Sequence, residues 1–295
     1  MNLEDVESTI FPGGEVHIKS LKLSEPYYNH LYASITNSDD LVKLLLATDA
    51  FKRQYGFVPE LYLPYIPYAR QDRVANRGEA LSIKVLADLI NLQNYPKVHV
   101  LDPHSDVSAA LINNVCITDC TAFAKKVWDN LPDEYADELI IIAPDAGALK
   151  KTHKIAKVLK YDKEVIFCEK KRDTKTGEIT GTKVYFDDIK DKMFIIFDDI
   201  CDGGRTFIEI AKVLKEQGAK KVILAISHGI FSKGLEVIFE YIDELLWTDS
   251  FKHLEETEFS IEFKKNGKFW AQYSALELMS GWNEEQFKKD LRKAV

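Results

Sequence analysis

The chain has 295 residues, 46 % of them apolar and 29 % charged, which is enough for two ordinary globular domains, each with a core of its own. Its formal net charge of −8 argues against a general nucleic-acid or anionic-membrane binder, because such surfaces need a basic excess. No apolar run approaches the roughly 20 residues of a membrane span, and the start, Met1-Asn2-Leu3-Glu4-Asp5, is acidic where a secretory signal is basic, so the expected compartment is the cytoplasm.

Cys116, Cys120, Cys168 and Cys201 make no disulfide framework in a chain this long and fit a reducing compartment. Cys116 and Cys120 are spaced like a pair of metal ligands, but no second Cys/His pair follows at zinc-site spacing, so buried or incidental thiols are the expectation.

In chain order, Asn37 or Ser38 caps a predicted helix to about Tyr55, with Leu41, Leu44, Leu45, Thr48 and Phe51 on one side. Leu61-Tyr62-Leu63 reads as a strand ending at Pro64, Ser82 opens a helix through Leu92, and Val98 to Leu101 is the next strand. The second block repeats this logic with a strand Leu139 to Ala143, a helix Gly147 to Leu159, strands Val165 to Cys168 and Phe194 to Phe197, a helix from Thr206 and a strand Val222 to Ser227. Short apolar strands alternating with amphipathic helices predict an α/β protein whose mainly parallel sheets are covered by helices. The acidic, proline-containing stretch from Leu131 to Glu138 is the expected boundary, giving domains 1–132 and 133–295. A terminal helix is expected from Asn283 or Glu284 to Arg292.

Ligands of such sheets gather beyond the carboxyl ends of the strands, and every predicted strand end here carries polar chemistry. Pro67-Tyr68-Ala69-Arg70-Gln71-Asp72-Arg73 follows the first, Asp102-Pro103-His104-Ser105-Asp106 the second, Pro144-Asp145 the third and Glu169-Lys170-Lys171-Arg172 the fourth. Carboxylates and a histidine suit a magnesium ion and its waters, while Arg and Lys suit polyphosphate. Plainer readings stand beside each: a self-paired charge run at 70–73, a capping or core histidine at His104, and a solvated face at 170–172.

The densest stretch is Asp198-Asp199-Ile200-Cys201-Asp202-Gly203-Gly204-Arg205-Thr206, directly after Met193 to Phe197. It reads as a buried strand delivering two carboxylates to a glycine turn, followed by a helix with Phe207, Ile210, Ala211 and Leu214 on one face. Glycines let backbone N–H groups approach phosphate oxygens, and the helix start adds partial positive charge. An acidic cap after any parallel strand is the alternative.

These pieces, with Phe11-Pro12-Gly13-Gly14-Glu15 and Ser227-His228-Gly229-Ile230-Phe231-Ser232, resemble the ordered motifs of the ribose-phosphate pyrophosphokinase family, also called phosphoribosyl pyrophosphate synthetases, from about Phe11 to at least Asp249. The resemblance implies two phosphoribosyltransferase-like domains, the C-terminal one carrying the ribose 5-phosphate loop. It also implies transfer of the pyrophosphoryl group of MgATP to the anomeric hydroxyl of ribose 5-phosphate, for nucleotide and NAD biosynthesis. By the same resemblance Phe11, Gly13, Glu15, Arg70, Gln71, Asp72 and His104 stand at the ATP positions, and His104 and Asp145 at Mg²⁺. Asp198 and Asp199 would hold the ribose hydroxyls, and Asp202, Gly203, Gly204, Arg205 and Thr206 the 5-phosphate. Lys170 and Arg172 match a catalytic basic pair, and the polar stretch Asp173 to Thr182 suits a hairpin lid.

A homodimer or larger homo-oligomer is implied as well. Four positions depart from the family pattern: Gly13 replaces a common acidic residue, Gly203 and Arg205 replace a threonine and a small residue, and Pro103 before His104 is a milder change. A phosphoribosyltransferase and a non-catalytic relative of the synthetase are the alternatives. The first leaves residues 70–73 and 102–106 unexplained, and the second predicts loss of the basic pair or the acidic loop, neither of which is lost.

Overall fold

The computed structural model describes residues 2–3, 6–21, 29–136, 138–172, 179–252 and 268–280. The chain forms two compact units, the first of residues 1–119, 250–252 and 274 onward, the second of 120–249 and 253–273.

The first unit begins with an antiparallel hairpin of β1 (Glu7–Ile10) and β2 (Val16–Ser20). Four parallel strands follow, in the order β3 (His30–Tyr32), β4 (Glu60–Tyr62), β5 (Val98–Leu101) and β6 (Val115–Thr118). The crossovers carry α1 (Ser38–Tyr55), α2 (Ser82–Asn91) and α3 (Asp106–Ala110). The ends of α1 follow from its sequence: the Asn37 side chain accepts from Asp40 N–H at 3.0 Å, and Gly56 closes the helix at φ 79, where a side chain would be strained. Its buried face is Leu44, Ala47, Thr48 and Phe51, one stripe at helical spacing packed with Leu31, Leu61 and Ile83.

The second unit is one seven-stranded sheet, built from β7 (Leu139–Ala143), β8 (Ile166–Arg172), β9 (Ile179–Val184), β10 (Met193–Cys201), β11 (Lys221–Gly229), β12 (Glu244–Thr248) and β13 (Phe269–Tyr273). Their spatial order is β13-β12-β11-β10-β7-β8-β9, parallel throughout except for the β8/β9 hairpin. Helices α4 (Cys120–Asn130), α5 (Asp133–Ala136), α6 (Leu149–Val158), α7 (Arg205–Glu216) and α8 (Glu236–Phe239) belong to this unit, and α9 (Ala275–Ser280) to the first. Phe207, Ile210, Ala211 and Leu214 are the buried residues of α7, as its periodicity predicts. The α/β class with mainly parallel, helix-covered sheets is therefore observed.

Several boundaries move. The compact units divide between Asp119 and Cys120, whereas composition places the division at 132/133. The apolar side of α4, with Phe123, Ala124 and Val127 buried, packs with α6 and the central strands of the second sheet. The polar stretch after it is a turn within the unit, where Tyr135 donates to Glu244 at 3.0 Å. The polar hairpin is present as β8 paired with β9, although residues 173–178 at its tip lie outside the described residues. The expected terminal helix from 283 also falls outside them.

Candidate active site

In the second unit the carboxyl end of β10 supplies the acidic pair. The strand runs four residues past the apolar run, so Asp198 and Asp199 lie in the ladder and not in the turn, with Asp198 opposite Ile226 and Cys201 opposite Gly229. The extension exists because β11 also runs on to Gly229 and offers partners all the way. Burial first, then the charge of Asp199, hold the Asp198 carboxyl well above the ordinary carboxylate range, while Lys151 pulls the other way. Asp199 is 7 % exposed, and Lys151 on α6 brings its Nζ to 3.8 Å from Asp199 Oδ2. Asp199 N–H donates to Asp198 Oδ1, and Ile200 N–H to Asp199 Oδ1, both at 2.9 Å, which fixes the two carboxylates.

Asp202 and Gly203 then turn the chain into α7, whose N-cap is Gly204 at φ 73. That backbone favours glycine, and a Cβ there would meet Ile238 Cγ1 at 3.0 Å. Gly204 brings no side chain of its own to the cap, and the N-terminus of α7 adds the partial positive charge of a helix start. Arg205 does not crowd the turn. It is the first residue of α7, and its Nε pairs with Glu209 Oε1 at 2.8 Å along the helix. Thr206 is half-buried beside it.

The strand end is braced from β11. Ile230 and Phe231 N–H groups both donate to Cys201 O, at 2.9 and 3.2 Å, and Phe231 sits at φ 50 with its ring 2.3 Å from where a Cβ on Gly229 would lie. Glycine at 229 is thus a packing requirement within the Ser227 to Ser232 motif. Cys201 is an inert thiol, pushed up to about 12 by burial and the nearby Asp198 and Asp202 charges. Asp145 follows β7 and caps the turn into α6, accepting from Ala148 N–H at 3.1 Å. Lys170 and Arg172 lie on β8, opposite Thr182 and Ile179 of β9.

In the first unit the chain beyond β4 and β5 carries the remaining predicted residues. Arg70 and Gln71 are exposed and Asp72 half-buried; Gln71 N–H donates to Tyr68 O at 2.8 Å, a turn in which Tyr68 takes φ 61. Arg73 lies 3.9 Å from Asp72, so part of this run is self-paired. Past β5, Asp102 is 3 % exposed at φ 38, with its N–H donating to Thr118 O at 2.7 Å. This backbone is uncommon for a side-chain-bearing residue and turns the chain sharply before His104. His104 is exposed and is not the cap of α3, because Ser105 takes that position and accepts from Ser108 N–H. Phe11, 51 % exposed, opens the β1/β2 turn, where its N–H donates to Glu15 O and its ring meets His17 at 5.6 Å. Gly13 has nothing within 4 Å of a would-be Cβ, and Glu15 is exposed.

Sequence reasoning did not single out Lys151, which has no motif signal because only the fold brings it to Asp199. Among the described residues no group of three or more His, Cys, Asp or Glu side chains converges to hold a metal. His104 and Asp145, expected together at a metal, belong to different units. The oxygen-only pair Asp198/Asp199 does fit magnesium, which is commonly held by one or two carboxylates plus substrate phosphates and waters. A desolvated acidic pair gains from such a counter-charge.

Residues 1–93 match the model of the N-terminal domain of ribose phosphate pyrophosphokinase, and residues 112–253 that of the phosphoribosyl transferase domain. The ribose-phosphate pyrophosphokinase of Mycoplasmopsis pulmonis is 31 % identical over 90 % of this chain and 81 % of its own length. That of Pyrococcus furiosus is 31 % identical over 84 % of this chain and 86 % of its own. The chain belongs to the ribose-phosphate pyrophosphokinase family. Among solved structures, the phosphoribosylpyrophosphate synthetase of Mycobacterium smegmatis superposes with a TM-score of 0.72 at 25 % identity, covering 94 % of this chain and 88 % of that one. The chain is an enzyme of this pyrophosphokinase type, with an N-terminal and a C-terminal phosphoribosyltransferase-fold domain. No helix among the described residues is long and apolar enough to cross a membrane.

Proposed function

We propose that this pyrophosphokinase transfers the intact β,γ-pyrophosphoryl group of MgATP to the anomeric hydroxyl of ribose 5-phosphate, releasing AMP and phosphoribosyl pyrophosphate for nucleotide and NAD biosynthesis. The observation that carries the reading is the carboxyl end of β10, where the ordered Asp198/Asp199 pair runs through a glycine turn into the N-terminus of α7. Carboxylates there accept hydrogen bonds from vicinal ribose hydroxyls, and Asp202 to Thr206 enclose the 5-phosphate with backbone N–H groups. Lys151, with its Nζ 3.8 Å from Asp199 Oδ2, helps to orient that carboxylate.

In the reaction the anomeric hydroxyl oxygen gives up its proton to solvent and forms a bond to the β-phosphorus, the bond from that phosphorus to the α,β-bridging oxygen breaks, and AMP leaves with the electron pair. Negative charge gathers on the transferred group and on AMP, so Lys170 and Arg172 on β8 are assigned to neutralise it. Arg70, Gln71, Asp72 and His104, with Phe11, Gly13 and Glu15 of the hairpin turn, are assigned to the nucleotide. Magnesium would be held near Asp198 and Asp199, with His104 and Asp145 each assigned to a magnesium ion by the resemblance, and would supply charge neutralisation of the phosphates. We place the enzyme in the cytoplasm as a homodimer or larger homo-oligomer; four free cysteines, three of them buried, support a reducing compartment.

The test is phosphorus NMR of the purified full chain with Mg²⁺, ATP and ribose 5-phosphate. AMP and a new pyrophosphate ester at the anomeric carbon should appear together. ADP with inorganic phosphate, or no turnover by folded protein that binds both ligands, would sink the reading.

A further inference from the structure

Gly203 has its open side lined by a side chain from another part of the chain that carries a positive charge. A Cβ built on it would lie 3.3 Å from Lys233 Cδ, 3.4 Å from Lys233 Cε and 3.6 Å from Lys233 Cγ, so the Lys233 stem occupies the space a residue 203 side chain would fill. The placement of Lys233 is fixed by backbone. The Phe231 to Gly234 turn is closed by Gly234 N–H donating to Phe231 O at 2.9 Å, with both end residues at positive φ, 50 and 81. Ile230 and Phe231 in turn hang from Cys201 O at the end of β10. The stem therefore arrives over the glycine loop from a braced turn and not from a wandering surface arm.

Its charge is uncommitted. Among the described residues the Lys233 ammonium has no hydrogen-bond or ion-pair partner, whereas the other cation of this loop, Arg205, is engaged by Glu209 at 2.8 Å. Cε lies over Gly203, so the ammonium, one bond further on, can reach an anion seated on the N–H groups of the loop. Lys233 is exposed, but its backbone is held by the turn, so only the side-chain rotamers remain to be ordered on meeting a phosphate.

We propose that Lys233 is a binding residue for the phosphomonoester dianion of the sugar substrate, reaching over Gly203 from the turn after β11. This rests on the assignment of Asp202 to Thr206 to the 5-phosphate. It gives the Gly203 departure a structural role, since a Cβ at 203 would press on the lysine stem at 3.3 Å and make it shift.

The experiment is calorimetric titration of the full-length protein with ribose 5-phosphate and, separately, with MgATP, for wild type, Lys233→Met and Lys233→Arg. Methionine keeps the apolar stem over Gly203 and removes only the charge. The expected result is a Kd for ribose 5-phosphate raised roughly tenfold in Lys233→Met, the loss of one solvent-accessible charge-assisted contact. Recovery to within about threefold in Lys233→Arg and an unchanged Kd for MgATP in both variants are also expected. Equal sugar-phosphate affinity in wild type and Lys233→Met would overturn the role of Lys233 while leaving the loop assignment standing. No binding of ribose 5-phosphate by the folded wild type would overturn both.

Discussion

The strand ends of the two units solve the problem of holding a ligand in opposite ways. At the end of β10 nearly everything is ordered by the protein itself. Asp199 is 7 % exposed, the two carboxylates accept from neighbouring backbone N–H groups, and Gly204 and Gly229 sit where a side chain would collide. Beyond β4 and β5 the backbone is shaped, by Tyr68 at φ 61 and Asp102 at φ 38, but Arg70, Gln71 and His104 are exposed at its surface. Under the proposed assignments, the end of β10 needs little ordering when its ligand arrives, while the exposed ends of β4 and β5 gain their geometry from theirs. The sugar side should therefore be fragile to small steric change and the nucleotide side tolerant of it.

The largest effect should come from neither half. Lys170→Ala is expected to lower kcat by on the order of 10³, as for loss of one transition-state cation, with the Kd for ATP within about twofold. Single-turnover kinetics beside equilibrium ATP binding measures both. A weakened Kd with unchanged kcat would move Lys170 to the nucleotide side and remove its part in transfer.

The rigidity of the sugar side is tested by Gly229→Ala. Its new methyl would fall 2.3 Å from the Phe231 ring, so the brace between β11 and Cys201 must shift. A cost of roughly 1–3 kcal/mol follows from overpacking of this kind, lowering Tm by several degrees. Gly13→Ala, in open space at ordinary φ, should leave Tm unchanged. Equal Tm values for the two variants would break the comparison.

The same half should show the larger pH dependence. Folding raises the Asp198 pKa, so the folded chain binds the proton more tightly than the unfolded one. The protonated form contributes stability that is complete below the ordinary carboxylate pKa and is lost as pH rises through the raised folded value. Asp198→Asn removes that loss. Without ligand it should melt a few degrees above wild type near pH 8, with the gap closing under pH 4, a readout that thermal melts across pH provide. A gap that widens toward low pH would contradict the direction of the shift. The variant should also lose affinity for ribose 5-phosphate, as expected where a strained charge is kept for function.

What the sequence disclosed follows the same division. Phe207, Ile210, Ala211 and Leu214, and the stripe Leu44, Thr48 and Phe51, were legible because burial of one helix face imposes a period that composition alone reveals. The placement of polar motifs at the ends of β4, β5, β7 and β10 was legible because the apolar runs that precede them mark the strands. Contacts that only the fold creates were not. Lys151 reaches Asp199, and Lys233 lies over Gly203, from positions with no local signal. Helix α4 escaped notice although Cys120, Phe123, Ala124 and Val127 are spaced as a buried face, because the cysteines drew attention as a possible metal pair. The acidic stretch after it looked like a linker, yet its Tyr135 is tied into the second unit by Glu244. The β10 extension from Asp198 to Cys201 reads as the approach to a turn because aspartate is depleted in strands; the ladder with β11 overrides that preference.

The smallest effect tests the tolerant half. Gly13 has no atom within 4 Å of a would-be Cβ and an ordinary backbone, so Gly13→Asp can be accommodated without strain. If the hairpin turn of Phe11 and Glu15 holds adenine, a carboxylate at 13 would accept from the exocyclic amino group. A hydrogen bond exposed to solvent is worth about 0.5–1.5 kcal/mol, which corresponds to a KM for ATP lowered about two- to tenfold. GTP, which presents a carbonyl at that position, should gain nothing, so the ratio of kcat/KM for the two nucleotides is the sensitive measurement. A parallel gain for both would mean that the new charge acts through magnesium or the phosphates. An unchanged ratio with unchanged KM would place the base away from this turn, leaving Arg70 to Asp72 and His104 as the whole of the nucleotide side.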